Sequence, residues 1–297
     1  MIPMVSVVVA TYRQEKSLGA ALESLANQMY PNYEIVLVDD NAKPEWNKKV
    51  HVIVEQFQTE HPDTGITYIE NQQNQGSART RNIGIEKAKG DYITFLDDDD
   101  VYLPEKIEHQ VTIMMQEEAD YSITDLYLYS EKGKLIDRRI HSYVKKTDVQ
   151  SLTEYHFMYH MTSPDSMMFK KEYLLRIGGF DAIDLGDDFY LMQKAIWGNG
   201  KFCYIPGCYI KAVVHTGEVG LSSGQNKIDC ETRLYEFKKG YFDQIDRKSR
   251  RYIRMRHYAV LAFAELRRKS YLAFLKNAIC AAFSSPIGCV KLLVTRK

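Results

Sequence analysis

Apolar positions along the first hundred residues alternate between two periods. The run Val5-Ser-Val-Val-Val-Ala10 is almost continuously β-branched, as expected of a strand covered on both faces. Leu18, Leu22, Leu25 and Met29 then recur at helical spacing until Pro31, where a helix must stop. Glu34-Ile-Val-Leu-Val38 reads as a second buried strand. Val50, Ile53, Val54 and Phe57 form a second helical stripe, and Ile66 to Ile69 a third strand. Arg79 to Lys89 reads as a helix closed by Gly90, and Tyr92-Ile-Thr-Phe-Leu96 as a fourth strand. This alternation predicts an α/β fold, a Rossmann-like and mainly parallel sheet flanked by helices. In such sheets ligands bind beyond the carboxyl ends of the strands.

Past Asp100 the pattern changes. A helix is expected over Glu105 to Gln116, then an antiparallel hairpin from Tyr121 to Tyr129 and Leu135 to Ile140 around Lys132-Gly-Lys134. Short strands fit Ser166 to Phe169, Lys201 to Ile205 and Tyr209 to Val214, and Asp187 to Trp197 reads as a helix. A small antiparallel sheet is therefore expected beside the parallel one. No repeat or low-complexity linker interrupts residues 1–225, which are taken as one unit.

Residues 226–297 read as a helical tail. Met255, Tyr258, Ala259, Ala262 and Leu266 form an apolar stripe that Leu272, Leu275, Ile279 and Phe283 continue. The chain has 39 basic and 39 acidic residues, but the tail is basic and the body acidic. Two readings of the tail stand side by side: a basic amphipathic element on an anionic membrane surface, or a helix pair packed on the body. Lys276, Asn277, Pro286 and Lys291 interrupt Tyr271 to Val294, so it does not read as a membrane span. Five cysteines without a C-x-x-C pair suggest neither a disulfide framework nor a zinc site, and fit a reducing, cytoplasmic compartment. The first apolar run lacks a preceding basic region and a cleavage site, so it reads as a strand rather than a signal peptide. No nucleic-acid motif accompanies the basic tail, so a nucleic-acid partner is not expected.

Candidate chemistry gathers at the expected strand ends. Phe95-Leu-Asp-Asp-Asp-Asp100 places four carboxylates after a buried strand. They are either a solvated acidic turn or hard-oxygen ligands for Mg²⁺ or Mn²⁺ bridging a diphosphate. Val38-Asp-Asp40 ends the second strand beside Ala10-Thr-Tyr12, bringing an aromatic face and carboxylate acceptors together as a nucleobase pocket needs. The alternative is that Asp39 or Asp40 caps a turn and Tyr12 packs. Gly76, Ser77, Arg79 and Arg81 open a helix, where cations suit diphosphate contact or a local salt bridge. Gly186-Asp-Asp188 starts another helix. Those acids are either ordinary N-terminal helix acids or hold a general base, for which Asp188, with Asp187 as rival, fits. His215 ends a strand before a Gly/Ser loop and is either structural or a third metal ligand. Neither a P-loop nor G-x-G-x-x-G is present.

These elements, in this order, resemble glycosyltransferase family 2 on the GT-A fold. The matching residues are Val7 to Tyr12, Tyr30 to Asp40, Gly76 to Asn82, Gly90 to Asp100, Gly178-Gly-Phe-Asp181 and Gly186-Asp-Asp188, and the resemblance spans residues 5 to about 223. It implies a nucleotide-sugar-binding half over 1–104 and an acceptor-binding half over 105–225. Thr11, Tyr12, Asp39 and Asp40 would hold base and ribose, supported by Arg79 and Asn82 with Gly76 at the turn. Asp97 and Asp99 match the D-x-D motif with Asp99 as main metal ligand, Asp98 faces ribose or sugar, and His215 matches an additional ligand. Asp187-Asp188 stands where the family has Glu-Asp, leaving the base on either acid. The implied activity is inverting, Mn²⁺- or Mg²⁺-dependent transfer from a nucleotide-diphosphate sugar, with UDP favoured, to a saccharide or lipid-linked saccharide. A sugar-nucleotide nucleotidyltransferase and a noncatalytic carbohydrate-binding member of the fold are the alternatives.

Overall fold

The computed structural model describes residues 2–183, 186–215 and 224–295, and the side chains of all of these but 291–295. The chain divides into two compact units: residues 1–149 with 161–214, and residues 150–160 with 215–297.

The first unit is built on one nine-stranded mixed sheet. Its parallel part is β1 (Val5–Thr11), β2 (Tyr33–Asp39), β3 (Ile66–Glu70) and β4 (Tyr92–Asp97), in the order β3-β2-β1-β4. The apolar runs named above are these strands, and α1 (Leu18–Ala26), α2 (Pro44–Glu60) and α3 (Ser77–Lys87) are their crossovers. Register aligns the strand ends: Thr11 stands opposite Asp39, and Ala10 opposite Asp97. Because β2 and β4 flank β1, the crevice where the strand order reverses is lined by acids from both sides.

Close packing of α3 on β1 depends on Gly84, where an added Cβ would lie 2.3 Å from Val8 Cγ1. At Gly90 a Cβ would lie 2.6 Å from the Ser6 backbone nitrogen. The helix itself ends at Lys87 with Ala88 as its cap, so Gly90, expected as the stop, is instead required by close packing.

The remaining strands extend the same sheet rather than forming a second, antiparallel one. They are β5 (Val101–Tyr102), β6 (Tyr121–Ser130), β7 (Leu135–Arg139), β8 (Met167–Lys170) and β9 (Phe202–Val214). They pair antiparallel with their neighbours except along β6 and β9, whose ladder is parallel. β8 pairs antiparallel with β4, Thr94 opposite Met168, and this couples the two halves. The two strands expected over 201–205 and 209–214 are one, β9, whose register against β6 shifts around Asp125. The irregularity has a physical cause. Asp125 is buried, and its carboxylate accepts the Gly207 N–H at 3.1 Å, the Tyr204 hydroxyl at 2.9 Å and the His141 N–H at 2.8 Å, so the chain bends to satisfy it. Between β5 and β9 run α4 (Lys106–Gln116), α5 (Val149–Tyr159), α6 (Lys171–Arg176) and α7 (Asp187–Trp197), of which α5 belongs to the second unit.

The second unit is helical: α5 with α8 (Gly224–Lys239), α9 (Arg247–Arg267), α10 (Tyr271–Ser284) and α11 (Pro286–Thr295). Asp246 caps α9, accepting the Lys248 and Ser249 N–H groups at 2.6 and 3.0 Å. No helix among the described residues is long and apolar enough to cross a membrane.

Candidate active site

The acids at the end of β2 face inward. Asp39 is fully buried. One of its oxygens accepts the backbone and side-chain N–H groups of Asn41 at 2.9 and 2.8 Å, and the other accepts the Tyr68 hydroxyl at 2.7 Å. Asp40 accepts four donors: the Asn71 amide and Gln75 N–H on one oxygen, at 2.9 and 2.8 Å, and the Asn74 amide and Gly76 N–H on the other, both at 2.9 Å. Gly76, at φ 78°, turns the chain so that its N–H reaches Asp40 and α3 can begin. Asp39 and Asp40 thus build the loops beside Thr11 and Tyr12. Thr11 is buried, whereas Tyr12 is 44% exposed with the Arg13 guanidinium 5.0 Å from its ring centre. Tyr12 therefore offers a ring face against which a planar group could stack.

The acids at the end of β4 face one another. Oxygens of Asp97, Asp100 and Asp165 lie mutually within 4.8 Å. Asp165 comes from the short 3₁₀ turn Pro164–Ser166 just before β8 and accepts the Asp97 N–H at 2.7 Å and the Ser163 hydroxyl at 2.8 Å. Asp100 accepts the Val213 N–H at 2.7 Å. Burial first, then the neighbouring carboxylates, raises both Asp100 and Asp165 well above the usual carboxylate range. Asp98 is buried, accepts the Tyr12 N–H at 3.1 Å, and is pushed up to about 7, chiefly by burial. Beneath the cluster the buried Lys106 ammonium donates to Thr94 and Tyr102, and burial holds its pKa well below the usual lysine range.

A divalent cation suits this arrangement. Three hard carboxylate oxygens converge within one coordination sphere, and a cation there would neutralise the mutual repulsion of these acids. Asp97 belongs both to this set and to the D-x-D expectation. Asp99, expected as the main ligand, is half-buried on the turn and outside the three-acid convergence. His215 is exposed and belongs to the second unit, and the loop after it lies outside the described residues.

Arg81, buried in the second turn of α3, joins this cluster to α7. It donates to Asp97 at 2.6 Å and to Asp187 at 2.8 Å. Burial opposes its charge, but the two carboxylates outweigh that and raise its pKa. Asp187 is buried, takes a further hydrogen bond from Ser77 at 3.2 Å, and is raised by burial against the pull of Arg81. Asp188, next to it, is only partly buried, and its carboxylate takes no hydrogen bond or ion pair among the described residues. Arg79 is exposed and lines a small cavity of about 160 Å³ with Gln75 to Ala78, Ala182 and Ile183. Asn82 is a clasp: its amide donates to the Phe180 carbonyl at 2.8 Å and accepts the Phe180 N–H at 2.9 Å.

The structure therefore brings Asp97, Asp98, Thr11 and Tyr12 together at one strand end, with Asp187 tied in through Arg81. It spends Asp39, Asp40, Gly76 and Asn82 on the surrounding loops. Asp165 and Asp100 were missing from the expected site. Asp100 stood in the visible acidic run. Asp165 had no signal in its own neighbourhood, since only the pairing of β8 with β4 carries it there.

Comparison with known proteins decides the family. The glycosyl transferase family 2 model matches residues 6–178. The chain belongs to glycosyltransferase family 2. It is 30% identical over 211 residues to an uncharacterized glycosyltransferase of Methanocaldococcus jannaschii, covering 70% of each chain. It is 32% identical over 126 residues to the UDP-Glc:α-D-GlcNAc-diphosphoundecaprenol β-1,3-glucosyltransferase of Escherichia coli, covering 42% of this chain and 47% of that protein. The chain thus spans from about half to seven-tenths of these relatives. The fold superposes on the Pyrobaculum calidifontis mannosyltransferase solved with GDP-Man and Mn²⁺, with a TM-score of 0.58 at 18% identity, over 97% of this chain and 88% of that one. That places this glycosyltransferase among GT-A structures.

Proposed function

We propose that this family 2 glycosyltransferase moves a sugar from a nucleotide-diphosphate donor to a hydroxyl of a saccharide or lipid-linked saccharide, by one inverting displacement in surface-polysaccharide assembly. The observation that carries the reading is the convergence of Asp97, Asp100 and Asp165, joined through Arg81 to the Asp187-Asp188 pair. Tyr12 stacks the base, and the glucosyltransferase relative favours UDP. Asp97, Asp100 and Asp165 would hold Mn²⁺ or Mg²⁺, which supplies charge stabilisation to a departing diphosphate. Arg81, fixed between two acids, orients both. Asp188 is the general base: its carboxylate is unengaged among the described residues, whereas Asp187 is buried against Arg81 and Ser77 and holds the geometry. The lipid-linked acceptor would lie at an anionic membrane surface.

Thermal unfolding with UDP or GDP, with and without Mn²⁺, tests the donor site. Ligand at about 100 times its Kd should stabilise the fold by roughly 2.7 kcal/mol. The expected result is a shift with UDP that needs the metal, and a turnover loss of roughly 10²- to 10⁴-fold in Asp188→Asn with that shift intact. Absence of any nucleotide shift in the wild type would leave a binding-only member of the fold as the better reading.

A further inference from the structure

α9 and α10 form an antiparallel hairpin, closed at one end by the Ser270 N–H bonding the Glu265 carbonyl at 2.9 Å and at the other by Arg251 Nε bonding the Ser284 carbonyl at 2.9 Å. The hairpin is inverted. Toward α9, α10 presents small residues, with Ala281 buried against Met255 and Ala259. Four of its large apolar side chains point to solvent: Leu272 is 86% exposed and Phe283 83%, with Leu275 and Ile279 on the same helical face beside the exposed Lys276, while Phe274 is partly buried. α11 continues the face with Ile287, 74% exposed, and is pressed close by Gly288, where a Cβ would lie 2.9 Å from Met255 Cε. A hairpin folded only against water would reverse this arrangement.

We propose that this outward face of α10 and α11 docks in the plane of an anionic lipid surface. From Leu266 to Lys297 there are seven Lys/Arg residues and no acid. Exposed cations bracket the apolar face, with Arg267, Arg268 and Lys269 at one end and Arg251 at the other. That is charge complementarity to lipid phosphates around an apolar patch. At 14 residues, α10 is about 21 Å long against a hydrocarbon core of about 30 Å, so the helix lies in the interface and does not span it. A cavity of about 810 Å³ shares Ile287 with the face, and its wall carries Arg247, Lys248 and Arg251 together with Glu154 and Asp246. A second copy of the chain fits less well, because a symmetric pairing would oppose like cations. The inference deepens the peripheral placement proposed above, but it stands on the second unit alone.

The test is flotation of the whole protein with phosphatidylcholine vesicles and with vesicles also containing phosphatidylglycerol. The wild type should float only with the anionic vesicles. Leu272→Ser/Phe283→Ser should lower the bound fraction by about tenfold or more, and Arg267→Ala/Arg268→Ala should weaken binding and its salt dependence. Circular dichroism and the metal-dependent nucleotide shift should be unchanged in every variant, so folding and donor binding are scored apart from docking. Docking with no nucleotide shift would sink the donor reading alone. The docking inference is overturned if the wild type ignores anionic vesicles, if the Leu272/Phe283 variant floats like the wild type, or if the face proves to be a dimer contact that this variant dissolves without vesicle binding.

Discussion

The ends of β2 and β4 carry the same residue type, one register position apart, on opposite sides of β1. After β2, Asp39 and Asp40 sit among donors, three for Asp39 and four for Asp40, supplied by the loops they organise. After β4, Asp97 and Asp100, joined by Asp165, face one another and take fewer donors: Arg81 on Asp97, the Val213 N–H on Asp100, and the Asp97 N–H and Ser163 hydroxyl on Asp165. A carboxylate whose lone pairs are already taken can shape a loop but has little left for a ligand. One facing other carboxylates is held at an electrostatic cost that a bound cation would remove. The comparison teaches that acid clusters are told apart by what surrounds their oxygens rather than by their number in a row.

The strongest test of that distinction is Asp165→Asn. The substitution keeps the shape and an oxygen for the Asp97 N–H, while removing one charge from the cluster. Turnover should fall by roughly a hundredfold or more, and the metal-dependent nucleotide shift should disappear. The melting point without metal should be no lower than that of the wild type, since a repulsion is relieved. Running Asp99→Ala beside it separates the two ligand sets: if Asp99→Ala abolishes the metal effect and Asp165→Asn does not, the D-x-D assignment holds and the three-acid cradle fails.

Asp40→Asn should act in the opposite sense. An amide can present an oxygen to only one pair of donors, and its NH₂ would then face the donors on the other side, either the Asn74 amide with the Gly76 N–H or the Asn71 amide with the Gln75 N–H. The loss should be about 2–3 kcal/mol of folding stability, read by urea unfolding. Turnover of the folded fraction should fall less than in Asp165→Asn. A variant with wild-type stability would mean that Asp40 is not a scaffold residue and would return it to the ribose-binding role implied by the family resemblance.

The difference between these two sites also marks what could be read from the sequence. Strands β1 to β4, helix α7 and the β6–β7 hairpin follow from periodicity, because buried parallel strands and amphipathic helices write their environment into consecutive residues. The acidic ends of β2 and β4 were visible for the same reason. Their opposite roles were not, since Asp40 is defined by Asn71, Asn74, Gln75 and Gly76, some 30 residues away, and Asp165 reaches Asp97 across 68 residues. Arg81 and Arg79 are two positions apart on one helix. Only packing decides that the first is buried between acids and the second exposed. The inverted face of α10 was legible as an apolar stripe, but not which side of the helix met α9.

The smallest predicted effect concerns pH. Asp98 is pushed up to about 7, chiefly by burial and then by Asp99, from an unfolded value near 3.9. Its folded form binds the proton more tightly than its unfolded form, so between about pH 4 and 7 the folded state holds more proton and stability falls as pH rises. Asp100 and Asp165 are raised in the same direction and extend the decline. Glu23, Asp125 and Asp246 are lowered instead, and their contribution is fully present above the unfolded carboxylate range, so a window from pH 5 to 8 leaves them constant. His160, lowered by burial, tilts the curve the other way near its unfolded value of about 6.5. The informative readout is therefore the difference between wild type and Asp98→Asn, measured in EDTA. That difference should move in favour of Asp98→Asn by on the order of 1 kcal/mol as pH rises from 5 to 8. With saturating Mn²⁺ the wild type should recover part of it, because the cation takes over charge that the proton had masked. A flat difference across the window would show that Asp98 is ionised throughout, and would remove it from the set of acids that distinguishes the β4 end from the β2 end.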